Sequence, residues 1–259
     1  PLTALGIPFA EIEYPLEGGR AGAWYVEGST STWAIFVHGK GALRNEALRL
    51  LPLAVDRGHH AMVIDYRNDA GAPPDPAGIY QYGATEWQDV ASAARYARSN
   101  GAQDLVMIGY SMGGANVVSF LFESPLSAQT AAVVLDSPVL NFGSTIDHAA
   151  AQTTLPLTSI AVPGSLTAVA KWIAGWRFGV DWTATDYVSR SRALDTPVLI
   201  IQGTGDDTVP IGPAEQFAAN QPDLVTLIAP EDVGHVVAWN ADRDAYESSI
   251  ETFLDGLGL

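Results

Sequence analysis

The stretch VMIGYSMGGANVV, Val106 to Val118, sets a serine between glycines where an apolar run gives way to small residues. The apolar run reads as a buried strand, and MGGANVVSFLF after it as a helix. Gly109-Tyr110-Ser111-Met112-Gly113 then sits where a strand turns into a helix, the setting of a nucleophile elbow. Glycines at both ends permit a turn so sharp that a Cβ at either position would clash. The serine projects from the carboxyl end of the strand, beside a helix N-terminus that favours developing negative charge. The pattern G-x-S-x-G taken alone is a weak signal; its place in the chain is what carries weight.

Working outward, short apolar stretches alternate with helical patterns along most of the chain. FAEIEYP and AGAWYVEG, joined through EGG, read as an antiparallel hairpin. WAIFVHG, AMVIDYR, LVMIGYS, AAVVLDSP, PVLIIQG and LVTLIAP read as buried strands. NEALRLLPLAVDRG has helical spacing despite Pro52. TEWQDVASAARYARSNG, GPAEQFAAN and NADRDAYESSIETFLDGL complete the helices, with Asn240 expected as the N-cap of the last. A Gly/Pro loop spans Asn68 to Gly78. The alternation predicts an α/β fold: a mostly parallel central sheet with an antiparallel N-terminal hairpin and helices on both faces. Residues 1–259 form one domain on this reading. The stretch from about Val139 to Thr196 is too long for an ordinary connection and holds Trp172, Trp176 and Trp182. It is expected to be a helical cap inserted into the core, residues 139–196.

Composition narrows the function classes. The formal net charge is −16 with 13 Lys+Arg, which argues against a nucleic-acid partner and against anionic membrane surfaces. No apolar run reaches the ~20 residues of a membrane span. There are no cysteines, so disulfides and thiolate chemistry are excluded. Compartment stays open between the cytoplasm and export or anchoring: Pro1 leads almost directly into strand-like sequence, as it would had an upstream segment been trimmed.

A serine hydroxyl needs a base, and the base needs an orienting carboxylate. The elbow predicts the chain order Ser, Asp/Glu, His, each after a later strand. PVLIIQGTGDDTVP offers Asp206 and Asp207. TLIAPEDVGHVVAW offers His235. His148 falls in the insertion. His38 is expected to support the turn before Gly39, and His59 and His60 to lie on the surface. The oxyanion donors are expected to be the backbone N–H groups of Met112 and Lys40. The Lys40 side chain is expected to face solvent. No His spacing suits a metal, so no metal and no cofactor are expected.

These ordered motifs resemble the α/β-hydrolase superfamily, and within it the small bacterial serine hydrolases of the acyl-peptidase, prolyl-oligopeptidase and cephalosporin-deacetylase branch. The resemblance covers nearly the whole chain: FVHGKG as the oxyanion loop, IDYR as the next strand end, GYSMGG as the elbow, QGTGDDTVP as the acid loop and GH as the histidine loop. Alignment to the acid loop selects Asp206 over Asp207, while Asp136, after AAVVL, occupies a site that some relatives use for the acid. Gln202-Gly203 stands where the family often has His-Gly. There is no His-Gly-Gly-Gly run and no preceding β-propeller.

The resemblance implies a carboxylesterase-like serine hydrolase that uses Ser111, His235 and Asp206 through an acyl-enzyme. A small, uncharged ester is the expected substrate. Tyr110, Trp172, Trp176 and Trp239 are candidate pocket residues, although the helical spacing of Trp172 and Trp176 equally suits packing within the cap. The same triad serves an amidase or peptidase, and perhydrolysis or acyl transfer needs only another deacylating nucleophile. A hydrolase-fold binding protein is the alternative outside enzymes, and such a protein usually lacks a triad member.

Overall fold

The computed structural model describes residues 1–155 and 159–259. Residues 156–158 of the expected insertion lie outside the described ones. A short helix α1 (Leu2–Leu5) precedes the hairpin β1 (Ala10–Leu16) and β2 (Gly19–Val26). Then come β3 (Thr32–Val37), a 3-10 turn (Arg44–Arg49), α2 (Leu51–Asp56), β4 (His60–Ile64), α3 (Trp87–Ser99), β5 (Asp104–Tyr110), α4 (Met112–Glu123) and β6 (Thr130–Asp136). The segment after β6 holds α5 (Phe142–Ala151) and α6 (Gly164–Phe178). The chain ends with β7 (Val198–Ile201), α7 (Gly212–Asn220), β8 (Val225–Ile228), α8 (Ala238–Ala241) and α9 (Arg243–Gly256).

One eight-stranded sheet runs β1-β2-β4-β3-β5-β6-β7-β8. β1 and β2 pair antiparallel, β2 joins β4 antiparallel, and every later pairing is parallel. The expected α/β architecture is therefore present. Alternation along β3 shows how both faces are covered. Trp33, Ile35 and Val37 pack with Val90 of α3, Val117 of α4 and Phe217 of α7. Ala34 and Phe36 pack on the other face with Leu51 of α2 and with Tyr246, Ile250 and Leu254 of α9. All six residues of β3 are buried, as a strand sandwiched between two helix layers must be.

Three local readings change. The helical pattern after Asn45 is split into the 3-10 turn and α2. Pro52 has no N–H to give the carbonyl four residues back and sits in the first turn of α2, where none is needed. The last helix is capped by Asp242, whose carboxylate accepts from the Ala245 N–H at 3.0 Å, and not by Asn240, which lies within the separate short helix α8. His59 and His60 also leave the surface. His59 is buried, and His60 stacks on Trp33 while its Nδ1 accepts from the Gly28 N–H at 3.1 Å.

The strand-to-helix turn at the centre of the sheet is held by close backbone approach. A Cβ on Gly113 would lie 2.1 Å from the Val37 carbonyl oxygen, and one on Gly109 would lie 2.7 Å from the Gly114 Cα. Only glycine at both positions lets α4 start directly against β3 and β5. Gly113→Ala is expected to destabilise the fold by about 3 kcal/mol or more, because the obstacle is backbone that cannot rotate away. Denaturant unfolding measures it.

Candidate active site

Ser111 occupies the turn between β5 and α4 with φ 50 and ψ −117. A non-glycine residue at positive φ is strained, and the surroundings hold it there. Its N–H donates to the Asp136 carbonyl at 2.9 Å, and its carbonyl accepts from Gly114 at 3.0 Å and from Val139 at 3.2 Å. The backbone is thereby pinned to β6 on one side and to α4 on the other, leaving the side chain to project beyond the sheet.

His235 lies in the loop after β8. Its Nε2 is 2.9 Å from Ser111 Oγ, and its Nδ1 is 2.8 Å from Asp206 Oδ2. Asp206 follows β7, its side chain fully buried. Its other oxygen accepts from the backbone N–H groups of Thr208 at 3.0 Å and Val209 at 2.9 Å. Burial opposes a charge here. The hydrogen bonds from His235, Val209 and Thr208 and the His235 charge outweigh it and hold the carboxyl below the usual aspartate range. An ionised carboxylate can only accept, so the proton rests on Nδ1. Nε2 is then free to accept from the serine hydroxyl.

Neither alternative acid takes this place. Asp207 is exposed, and its carbonyl accepts from Gln152, just past the end of α5, at 2.8 Å. Asp136 is buried and faces away from the histidine: its carboxylate accepts from Tyr246 Oη at 2.9 Å and from Ser137 Oγ at 3.2 Å.

The loop after β3 approaches the serine from the opposite side. A Cβ built on Gly39 would lie 3.1 Å from that of Ser111, so Gly39 packs directly against the serine. The Gly39 N–H itself donates to Glu46 Oε2 at 2.7 Å. Met112 opens α4, where the first N–H groups have no intrahelical partner. His38 lies beneath this loop with Nδ1 2.9 Å from the Gly39 carbonyl and Nε2 3.0 Å from Asp69 Oδ2. Burial opposes a charge on this ring, but the Asp69 carboxylate and the Gly39 carbonyl outweigh it and raise the pKa above the usual histidine value. Among the described residues, His38, Asp65 and Asp69 also form a group close enough together to hold a metal ion.

The expected pocket residues are dispersed. Tyr110 is wholly buried, with Arg49 over its ring at 5.6 Å, so it offers no surface to a substrate. Strand alternation turns it to the sheet face that α9 covers. Trp239 donates through Nε1 to Glu247 of α9 at 2.8 Å. Trp172 and Trp176 are 70% and 76% exposed on the outer face of α6. Trp182, by contrast, belongs to an aromatic column. Tyr82 stacks on Phe142 at 3.7 Å and Phe142 on Trp182 at 5.2 Å, with Lys40 Nζ 5.7 Å above the Tyr82 ring. Sequence reading missed Tyr82 and Phe142. The first lies in an irregular loop and the second opens a helix, so neither belongs to a periodic pattern.

The Alpha/beta hydrolase family model matches residues 34–247. The chain belongs to the alpha/beta hydrolase family. It is 22% identical over 248 residues to the uncharacterized protein YfhR of Escherichia coli O157:H7, covering 92% of this chain and 77% of that one. Among solved structures it resembles the Pyrococcus furiosus esterase Pf2001 with a TM-score of 0.76 at 17% identity, covering 98% of this chain and 95% of that one. It also resembles the esterase RhEst1 from Rhodococcus sp. ECU1013 with a TM-score of 0.65 at 17% identity, covering 96% of this chain and 99% of that one. At these identities the structures share the fold with this hydrolase-family chain.

The buried Asp136 generates a pH signature. Burial raises its pKa from 3.8 to about 6, partly offset by the Tyr246 hydrogen bond, the Arg49 charge and Ser137. Between those values the folded state binds the proton more tightly than the unfolded chain does. Asp136 therefore makes the fold less stable as pH rises through the window. Relative to Asp136→Asn, the wild type is expected to lose up to about 3 kcal/mol of unfolding free energy across it. Urea titrations of both proteins at stepped pH check the sign and the size.

Proposed function

We propose that this protein is a serine hydrolase that cleaves carboxylic esters through an acyl-enzyme intermediate. The observation that carries the reading is the continuous relay from Ser111 Oγ to His235 Nε2 at 2.9 Å and from His235 Nδ1 to Asp206 Oδ2 at 2.8 Å, set at the strand ends of a hydrolase-family fold. The esterase activity named for Pf2001 and RhEst1 agrees with it.

In this mechanism Ser111 Oγ attacks the ester carbonyl as His235 Nε2 takes its proton. The carbonyl oxygen becomes an oxyanion and accepts from the backbone N–H groups of Lys40 and Met112, the second backed by the α4 dipole. His235 gives its proton to the departing alkoxide, and the C–O bond breaks to leave acyl-Ser111. A water then attacks the acyl carbon, losing a proton to His235, and the returning proton regenerates the serine hydroxyl. Asp206 stays ionised throughout, holding the tautomer and stabilising the imidazolium. In this reading the described residues of the insertion, 139–155 and 159–196, act as a cap over this site, and the aromatic column of Tyr82, Phe142 and Trp182 favours an uncharged, apolar acyl or alcohol group.

The test is turnover of p-nitrophenyl esters from C2 to C12 with Ser111→Ala in parallel. Wild-type turnover is expected, with a loss on the order of a thousandfold or more in the variant. Matched ester and anilide substrates separate this reading from an amidase of the same triad; faster anilide cleavage would replace it. A folded wild type inert to every ester and to a phosphonate would reject it.

A further inference from the structure

The strained residue after the histidine is the starting point. Val236 has φ 52, a conformation that a β-branched side chain disfavours. Both polar groups of Val236 are held. Its N–H donates to Ser137 Oγ at 3.1 Å, and its carbonyl accepts from Arg49 Nη1 at 2.7 Å. Ser137 belongs to the end of β6 and Arg49 to the 3-10 turn Arg44–Arg49, so two elements distant in sequence fix the backbone that aims His235.

The same turn reaches the other side of the site. Glu46 Oε2 accepts from the Gly39 N–H at 2.7 Å, and Glu46 Oε1 lies 3.5 Å from Arg49 Nη2. Gly39 directly precedes Lys40. A single ion pair therefore spans from the oxyanion loop to the histidine loop: Gly39, Glu46, Arg49, Val236. The pair is partly shielded, with side-chain exposures of 12% for Glu46 and 22% for Arg49. Arg49 also lies over the Tyr110 ring and adds its positive charge near the buried Asp136.

We propose that Glu46 and Arg49 are positioning residues that set the distance between the oxyanion donors and the base, acting through Gly39 and Val236. The inference rests on the serine-hydrolase reading of the site. Neither side chain is assigned a contact with substrate; each acts on backbone. The hole and the base must meet one tetrahedral intermediate, and small displacements between them cost rate more than affinity.

The test compares wild type, Glu46→Gln, Arg49→Met, Arg49→Lys and the Glu46→Gln/Arg49→Met double variant on the best p-nitrophenyl ester. Active sites are counted by p-nitrophenyl phosphonate release, so that unfolded protein does not enter kcat. Glu46→Gln keeps an acceptor for Gly39 and removes the charge that pairs with Arg49. Arg49→Met is expected to lower kcat per titrated site about 10- to 100-fold with KM changed less than about threefold. Arg49→Lys should recover part of the loss, because an ammonium still reaches one of the two acceptors. The double variant should lose less than the product of the single losses, the mark of one coupled bridge.

Multiplicative losses, or a kcat per site for Arg49→Met within about twofold of wild type, would overturn the proposal while Ser111-dependent turnover still upheld the serine-hydrolase reading. Absence of Ser111-dependent turnover and labelling in the wild type would overturn both.

Discussion

The closeness of α4 to the backbone of β3 is the constraint on which the rest of the structure depends. Gly113 brings the first turn of the helix against the Val37 carbonyl, with no room for a side chain. The chain can leave β5 and enter α4 in that space only by taking Ser111 through positive φ. That conformation is unfavourable for serine by itself, on the order of 1–3 kcal/mol. It persists because the backbone bonds of Ser111 to Asp136, Gly114 and Val139 anchor it from two elements at once. The hydroxyl's position at the strand end is a consequence of that packing.

Around the serine the same principle recurs at a larger scale. Ser111, Ser137 and Val236, all non-glycine residues at positive φ, lie at or next to the site. Ser111 donates to the residue before Ser137, and Ser137 accepts from Val236. Loops that would be mobile one by one restrain each other because their strand ends converge at the same edge of one parallel sheet. Here is the physical reason such sheets concentrate chemistry at the carboxyl ends of their strands.

Charge within the site is distributed by available partners more than by burial. Asp206 and Asp136 are both buried aspartates, yet their pKa values move in opposite directions. Asp206 has two backbone donors and the imidazole, enough to keep its charge. Asp136 has two hydroxyls and a more distant guanidinium, which do not offset complete burial. The one suited to face an imidazolium is the one that stays ionised. Beneath the loop after β3, a carbonyl and a carboxylate face the two nitrogens of His38 and raise its pKa despite burial.

What the sequence by itself determined is the local and the ordered. Apolar runs separated by helical patterns specify a parallel α/β sheet, because a strand covered on both faces has to be apolar throughout. Gly109 and Gly113 marked the sharp turn, since nothing with a Cβ fits there. The order Ser111, Asp206, His235 after successive strands marked residues that the fold brings within hydrogen-bonding distance. Tertiary structure alone decided which polar groups meet across the molecule. Glu46 and Arg49 look like an ordinary charged pair on a helical turn; only folding puts Gly39 and Val236 in their reach. Tyr110 looked like a pocket residue from its neighbour, but strand alternation turned it to the opposite face. His59 and His60 read as surface residues, yet His59 is buried and β4 carries His60 inward against Trp33 and Tyr25. Periodicity and spacing act through nearby backbone and are written into the chain; contacts between residues far apart in it arise from packing, which one-dimensional pattern does not encode.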